Sequence, residues 1–290
     1  MSALCTVLPA QTKMPAPWQS SLVKISKSGE LVYIPDEEGN VIPDFSRVGY
    51  HHGNQSIPQH SVTRIISPVE GDNWAHIQQA VDEISQLPAD QNGHRGVLLL
   101  KRGLYPVSQS VVIKAGGVVL KGEGSNVDET RLIATAKRKY ALIKISGAGI
   151  REEISGTRVS ITDKFVPVGT HSFQVSCGEG FKPGDKIVVY RPGTQKWVHD
   201  IKMDQIEERK GTRQWTPQEY NLAFEREVTR VEGNRLFIDN PVVMQMDWKY
   251  GGGDVYKYKF DGRINEVGVS DLCLESEFDD YEDTQHGWIG

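Results

Sequence analysis

Residues 73–134 constrain the fold most, because they join one amphipathic helix pattern to a run of short apolar segments. Apolar residues recur every three or four positions from Trp74 to Leu87, which predicts a helix. The segments that follow are too short for helices, rich in valine, isoleucine and leucine, and separated by glycines. They are residues 97–100, 105–107, 110–113, 118–120 and 131–134. Short strands with glycine corners predict a parallel β-helix.

The helix pattern has a natural place in such a fold. A solenoid cannot close its own first coil, so the apolar end of the stack needs a cover. A helix over residues 73–87, started by Asp72 or Asn73, precedes the first strand and can supply that cover. A doubly wound α/β domain would instead need a helix of about ten residues or more between successive strands. We therefore predict an N-terminal capping α-helix on an all-β solenoid.

Three motifs resemble the opening of pectate-lyase-like right-handed β-helix proteins. They are IQQAVD at 77–82, GVLLLKRGLY at 96–105 and GVVLKGEG at 117–124. In that superfamily a cap helix, a strand, a G-x-Y turn and a V-x-L-x-G-x-G segment follow one another. The resemblance covers the chain from about residue 44 to its end and implies a right-handed parallel β-helix. Its members are mostly polysaccharide lyases and glycoside hydrolases, with some phage tailspikes and noncatalytic proteins, so the fold does not define the chemistry. It also implies a secreted or periplasmic location.

Composition argues against several kinds of partner. The 290 residues carry a formal net charge of −5, which gives no general attraction to nucleic acids or anionic membranes. No apolar run approaches the ~18 residues that a membrane span needs. Three scattered cysteines suit neither a disulfide framework nor a zinc site. Residues 1–11 lack a positive start and are at best a clipped signal peptide.

The sequence pattern changes three times along the chain. Residues 1–58 predict an N-terminal arm with a hairpin, lying along the outside of the solenoid, and residues 59–154 predict the first coils with the cap helix. Longer alternating segments with hairpin turns at 155–246 predict an inserted antiparallel β domain. Residues 247–290 resume the solenoid pattern and stop without a capping element, which predicts a chain truncated at its C-terminus.

Residues suited to polysaccharide cleavage cluster in this last part. A lyase acting on uronic acids must neutralise a carboxylate, remove the adjacent proton and protonate the leaving oxygen. Alternation over 255–260 puts Tyr256 on one face and two lysines on the opposite, solvent face; a plain solvated strand face is the alternative. We predict His286 and Tyr256 for proton transfer, Lys257 and Arg263 for carboxylate neutralisation, and Lys259 and Trp288 for substrate binding.

A second aromatic group lies in the predicted inserted domain. Trp197 and His199, with Trp215 and Tyr220, fall on a charged stretch that predicts an exposed loop. Aromatic side chains on a loop can wall a saccharide groove, and they can equally form the core of their own domain. We predict Trp197 and His199 as substrate-binding residues.

Acidic residues crowd the region from Glu275 to Asp283. Repulsion between their carboxylates would be relieved by a hard cation, which predicts a Ca²⁺ site at Asp279, Asp280 and Asp283, or by Arg263. A solvated acidic loop is one alternative. A carboxylate pair for glycoside hydrolysis is another.

These observations predict an extracellular enzyme that binds an acidic polysaccharide and cleaves it by β-elimination. Two rival functions stay open: a glycoside hydrolase on the same fold, and a noncatalytic carbohydrate-binding or adhesive β-helix. The products distinguish the two enzymes, because elimination leaves an ultraviolet-absorbing unsaturated uronate whereas hydrolysis leaves only a new reducing end.

Overall fold

The computed structural model describes residues 19–277, and β-strands dominate its regular structure. Among these residues, no helix has the length and apolar character needed to cross a bilayer. The two α-helices are α1 (Trp74–Ser85) and α2 (Gln195–Asp200), and short 3-10 turns cover Tyr50–Gly53, Pro217–Tyr220 and Trp248–Tyr250. The strands are β1 (Val23–Ile25), β2 (Leu31–Tyr33), β3 (Val62–Ile66), β4 (Gly96–Leu100), β5 (Gly103–Val107), β6 (Val111–Ile113), β7 (Val118–Lys121), β8 (Thr130–Ala134), β9 (Ile143–Ile145), β10 (Glu152–Glu153), β11 (Val159–Ser160), β12 (Phe165–Val166), β13 (Ser172–Gln174), β14 (Lys186–Arg191), β15 (Leu222–Glu232), β16 (Arg235–Ile238), β17 (Met246–Asp247), β18 (Asp254–Lys259), β19 (Gly268–Ser270) and β20 (Cys273–Ser276).

The chain divides into two compact units. The first, called here the parallel unit, contains Gln55–Glu152 together with residues 259–277. The second, called the antiparallel unit, contains residues 19–54 together with Glu153–Tyr258. Each unit has its own apolar core.

Three parallel sheets build the parallel unit. The first has the strand order β3-β4-β7-β19, the second contains β5, β8 and β20, and the third pairs β6 with β9. Consecutive strands β4, β5 and β6 therefore fall in three different sheets, and β7, β8 and β9 repeat that order one strand further along. This is the strand order of a parallel β-helix. The predicted parallel sheets are confirmed, while the right-handed sense stays a prediction.

Side chains from successive coils stack in the core of the parallel unit. Leu98 is in register with Leu120, and Tyr105 with Leu132, and none of the four side chains reaches solvent. The Tyr105 hydroxyl donates hydrogen bonds to two backbone carbonyl oxygens, at 2.9 and 3.3 Å, so its burial leaves no polar atom unpaired. Burial also raises the pKa of this phenol. Each coil is thus packed against the next through apolar contacts.

Helix α1 packs on the same core. Its buried residues Ile77, Ala80, Val81 and Ile84 belong to the apolar cluster that the coils form. The N-cap residue Asn73 makes no side-chain cap bond, and the Asp72 carboxylate before it accepts the backbone N–H of Trp74 at 3.1 Å. The helix contacts β3, β4, β6 and β7. Its role as a cover for the first coil stays a prediction.

The antiparallel unit is built on a sheet with the strand order β18-β14-β15-β16-β13. Ile187, Val189, Val228 and Leu236 fill its core. Strand β18 belongs to this sheet, whereas the sequence boundary at residue 246 placed it with the resumed solenoid. The boundary differs from the structure because alternation identifies a strand without identifying its partner.

The N-terminal arm also differs from its prediction. Its hairpin forms as expected, with Val23 opposite Tyr33. Further along, the side-chain carbonyl of Asn40 accepts the N–H of Val168 at 2.9 Å, and the N–H of Val41 donates to the Val168 carbonyl at 3.0 Å. The arm therefore belongs to the antiparallel unit, although we expected it along the solenoid.

Candidate active site

A row of side chains lies where the strands of the first parallel sheet begin. His60, His94 and Glu266 each come two residues before the first residue of their strands, β3, β4 and β19. Parallel strands begin at the same edge of a sheet, so these positions are neighbours in space. Gly116 holds the equivalent position before β7, between β4 and β19. An added Cβ at Gly116 would lie 2.8 Å from the Asn265 carbonyl oxygen, so its missing side chain allows the backbone before β19 to approach closely.

The rings of the two histidines are in contact. Their ring centres lie 3.7 Å apart with the planes tilted by 45°. His94 Nε2 lies 3.6 Å from a Glu266 carboxylate oxygen, an ion-pair distance once the ring is protonated. Within residues 19–277, His60 Nε2 and His94 Nδ1 are buried and have no hydrogen-bond partner. Each ring therefore has a nitrogen whose hydrogen-bonding capacity is unused.

The rings border a cavity of about 260 Å³, called here the histidine pocket. This volume lies near the lower end of the range for small-molecule sites, so it suits one unit of a polymer. The pocket is lined by His60, Ser61, Pro88, Asp90, His94, Arg95, Gly96, Gly117 and Val119.

Asp90 fixes the loop that carries His94. Its carboxylate accepts backbone N–H groups from Asn92 at 2.8 Å and from His94 at 3.0 Å. The bond from His94, followed by that from Asn92, lowers the pKa of the Asp90 carboxyl. Asp90 is therefore ionised at neutral pH and positions the loop.

Arg95 supplies positive charge to the pocket wall. Its guanidinium donates to the Leu87 carbonyl, and its Nε atom is buried with no partner in the described part of the chain. The backbone N–H of Arg95 donates to the Gly117 carbonyl at 2.7 Å. Gly117 has a φ of +74°, and an added Cβ would lie 2.0 Å from the Gly93 carbonyl oxygen. Only glycine fits this part of the pocket.

The predicted catalytic residues Tyr256 and Lys257 are consecutive on β18, so their side chains point to opposite faces of the strand. Tyr256 is only 7% exposed, and the guanidinium carbon of Arg158 lies 4.1 Å from the centre of its ring. Lys257 was expected on a solvent face, and this is wrong: its side chain is 20% exposed and Nζ lies 2.6 Å from an Asp185 carboxylate oxygen. The turn that precedes β14 brings Asp185 beside the lysine. Their catalytic roles stay predictions.

Arg263 and Lys259 lie in the parallel unit. Lys259 is 54% exposed, and its Nζ lies 3.0 Å from a Glu152 carboxylate oxygen, a bond that raises the pKa of the lysine. The Arg263 guanidinium carbon lies 4.8 Å from the centre of the Phe260 ring. Neither residue lines the histidine pocket. Five further predicted residues lie outside the described residues: His286, Trp288, Asp279, Asp280 and Asp283.

Trp197 and His199 lie on helix α2, whereas the sequence predicted a loop there. The helix forms because the Thr194 side chain accepts the Trp197 N–H at 3.2 Å and caps its start. Trp197 is half-buried, and its ring centre lies 5.8 Å from that of Tyr220. His199 is exposed, with Nδ1 3.1 Å from an Asp204 carboxylate oxygen. Saccharide binding by this helix stays a prediction.

The residues of the histidine pocket were missed in the sequence. Their common spacing from three strands, two residues before each start, is the signal that was available. It becomes informative only after the strands have been assigned to one sheet. No arrangement of three or more histidine, cysteine or acidic residues suited to a metal ion occurs in the described part of the chain.

Comparisons with known proteins give weak likenesses to solved phage tailspikes. The Gp54 tailspike of Acinetobacter baumannii bacteriophage AP22, solved with A. baumannii capsular saccharide, is 14% identical with a TM-score of 0.39, covering 71% of this chain and 27% of its own. The gp61 tailspike of Pseudomonas phage phi297 is 15% identical with a TM-score of 0.35, and the match covers 71% of this chain and 28% of that tailspike. The gp49 tailspike of Pseudomonas phage LKA1 is 16% identical with a TM-score of 0.37, and the match covers 70% of this chain and 27% of that tailspike.

The chain thus spans little more than a quarter of the length of these structures. No protein-family model matches the chain, and no curated protein matches it. Because the TM-scores are low, the fold assignment rests on the strand pairing of this chain. Membership of the pectate-lyase-like superfamily stays a prediction.

Proposed function

We propose that this chain cleaves an acidic polysaccharide by β-elimination in the histidine pocket. The observation that carries the proposal is the contact between the rings of His60 and His94, each with a buried and unpartnered nitrogen, in a pocket that also holds Arg95. Elimination from a uronate needs a base, an acid and a positive charge near the carboxylate. Two imidazoles and one guanidinium supply these three functions.

The reaction assigns a role to each group. A neutral imidazole takes the proton from sugar C5, and the electron pair of that bond forms a C4–C5 double bond. The C4–oxygen bond breaks, and the departing oxygen takes a proton from the other, protonated imidazole. No water is consumed. Glu266 stabilises a positive charge on His94, so we assign His94 as the acid and His60 as the base.

Charges around the pocket favour elimination over hydrolysis. A glycoside hydrolase needs one carboxylic acid that keeps its proton near neutral pH. Asp90 accepts two backbone N–H groups, and its lowered pKa leaves it ionised. Arg95 suits the carboxylate of a uronate, because a guanidinium binds this group through paired hydrogen bonds.

Several expectations from the sequence belong to the same proposal. We propose a location outside the cytoplasm, and we propose that parts of the chain beyond the histidine pocket also contact the polymer. The residues proposed for such contacts are Lys259, Arg263, His286 and Trp288.

A substrate panel tests the reaction type. Pectin, alginate, ulvan and glycosaminoglycans are each incubated with the protein, and the mixture is monitored for ultraviolet absorbance and for new reducing ends. Elimination gives both signals together. New reducing ends without absorbance would identify a hydrolase, and retention on immobilised polysaccharide without any cleavage would identify a noncatalytic binding protein.

A further inference from the structure

Arg191, the last residue of β14, is a buried cation. The residue is 3% exposed, and Nη1 of its guanidinium has no hydrogen-bond partner within the described residues. Its neighbour is an aromatic ring, since the guanidinium carbon lies 4.5 Å from the centre of Trp197. Burial lowers the pKa of this guanidinium. Buried charges are normally paired, so an arginine with an unsatisfied donor is a candidate to bind an anion.

Trp197 belongs to a group of three neighbouring aromatic side chains, called here the aromatic cluster: Trp197, Trp215 and Tyr220. The rings of Trp215 and Tyr220 stack with centres 3.8 Å apart and planes tilted by 16°, and Trp197 lies 5.8 Å from Tyr220. All three are half-buried, so part of each ring reaches solvent. A partly exposed aromatic surface can contact the apolar C–H face of a pyranose.

The chain holds these rings in place before any ligand binds. Thr194 caps helix α2, which carries Trp197. Thr216 and Glu219 form a capping box beside Trp215 and Tyr220, with the Glu219 carboxylate accepting both the N–H and the hydroxyl of Thr216. The backbone N–H of Trp215 donates to the Met203 carbonyl at 2.9 Å. A preorganised surface loses little conformational entropy on binding.

Tyr250 and its charged neighbours lie beside helix α2. The Tyr250 hydroxyl donates to an Asp200 carboxylate oxygen at 3.0 Å. The ammonium groups of Lys249 and Lys196 lie 4.8 and 6.0 Å from the centre of the Tyr250 ring. Lys196 pairs with Asp200 at 3.1 Å and Lys249 with Asp247 at 3.3 Å, so these charges are balanced, and the unpaired donor of Arg191 is the group left to bind an anion.

We propose that Arg191 and the aromatic cluster form a noncatalytic binding site for a uronate sugar. The guanidinium binds the carboxylate and the rings contact the pyranose, so the antiparallel unit holds the polymer independently of the histidine pocket. The choice of a uronate rests on the proposed function, whereas the presence of an anion site rests on Arg191 alone. The rival explanation is a cation–π contact that only supports the fold.

Titration with D-glucuronate, followed by tryptophan fluorescence and calorimetry, tests this site. The experiment uses the Arg95→Gln variant, so that the histidine pocket does not add a second signal. We expect saturable binding, with D-glucose weaker. Arg191→Gln should weaken binding about tenfold or more, because a charged hydrogen bond is lost. Arg209→Gln is the matched control. Arg209 lies on the segment between α2 and the 3-10 turn at Pro217–Tyr220, is exposed and pairs with Glu207.

A second variant distinguishes lost binding from lost folding. Arg191→Lys keeps the positive charge but lacks the planar, two-pronged donor geometry of a guanidinium. It should therefore leave the midpoint of thermal unfolding unchanged while weakening binding. Equal binding of inorganic sulfate and glucuronate would contradict a sugar site. No saturable binding, or equal weakening by Arg209→Gln, would contradict the site altogether. His94→Ala should abolish cleavage and leave this titration unchanged, so the two proposals fail separately.

Discussion

The imidazole ring centres of His60 and His94 lie 3.7 Å apart because β3 and β4 are parallel neighbours that begin at the same edge. Neighbouring strands lie about 4.8 Å apart, so residues just before them come within ring contact. Two protonated rings at this spacing would repel one another. Two imidazoles in contact can supply an acid and a base to one reaction.

Removal of either ring should abolish cleavage without unfolding the protein. His60→Ala and His94→Ala should each lower kcat/KM by about 10²- to 10⁴-fold, the contribution of a positioned acid or base. Steady-state kinetics on the substrate found in the panel measures this. His76→Ala, on α1 and away from the pocket lining, should change kcat/KM little. An equal loss in that control would contradict the assignment.

Chelation distinguishes Arg95 from a bound Ca²⁺ ion as the source of positive charge in cleavage. Because Arg95 lies in the pocket, we expect cleavage to persist in excess EDTA and to fall in Arg95→Gln, by about tenfold or more for a lost charged hydrogen bond. Activity lost on chelation and restored by calcium would instead support the Ca²⁺ site predicted at Asp279, Asp280 and Asp283.

Asp72 makes the stability of the parallel unit depend on acid pH. Burial raises the pKa of its carboxyl, but bonds from Ser108 and Trp74 outweigh burial and lower the pKa overall. A lowered folded-state pKa gives stability that is present above the unfolded value and lost as pH falls through the folded one. Asp72→Ala should lower the free energy of unfolding by about 1 kcal/mol at neutral pH, because the hydrogen bonds from Trp74 and Ser108 are lost.

Acid unfolding curves check this pH dependence. Below about pH 4 the difference between Asp72→Ala and the parent protein should shrink, because the parent carboxylate becomes protonated. Asp82→Ala is the control, since Asp82 is exposed on α1 and accepts only a Gln78 amide in the structure. A difference that stays constant with pH would rule out the ionised carboxylate as its source.

Gly117 should tolerate no side chain. In Gly117→Ala the new Cβ meets the Gly93 carbonyl oxygen at 2.0 Å in a backbone with φ +74°, so we expect a loss of about 3 kcal/mol or more. Gly149→Ala has a similar φ of +77° and open space around it, and should lose about 1–2 kcal/mol. Denaturant unfolding measures both, and equal losses would contradict the steric argument.

The stacked core predicts a matched pair of leucine variants. Leu120→Ala removes a side chain with no solvent exposure and should lower the free energy of unfolding by about 2–5 kcal/mol. Leu104→Ala, at a position 44% exposed on β5, should cost less than about 1 kcal/mol. Similar losses for the two variants would be incompatible with a core between the parallel sheets.

The short strands were predictable from sequence because two local constraints coincide on them. Leu98 and Leu120 must be apolar to fill the core, and glycines must turn the chain where a side chain would clash, as at Gly117. Both constraints act within a few residues and are visible in a single sequence.

Neighbours across the fold were not predictable in this way. Alternation placed Lys257 on a strand, but its ion pair with Asp185 depends on the antiparallel pairing of β14 with β18. The pocket was missed for the same reason, since His60 meets His94 only through the pairing of β3 with β4.

The most direct test of the account is the ratio of unsaturated uronate ends to new reducing ends, measured on one polysaccharide cleaved by the intact chain. Elimination at the histidine pocket predicts one unsaturated end for every new reducing end, and neither product with the His60→Ala/His94→Ala double variant. New reducing ends without unsaturated ends, or undiminished cleavage by the double variant, would contradict it.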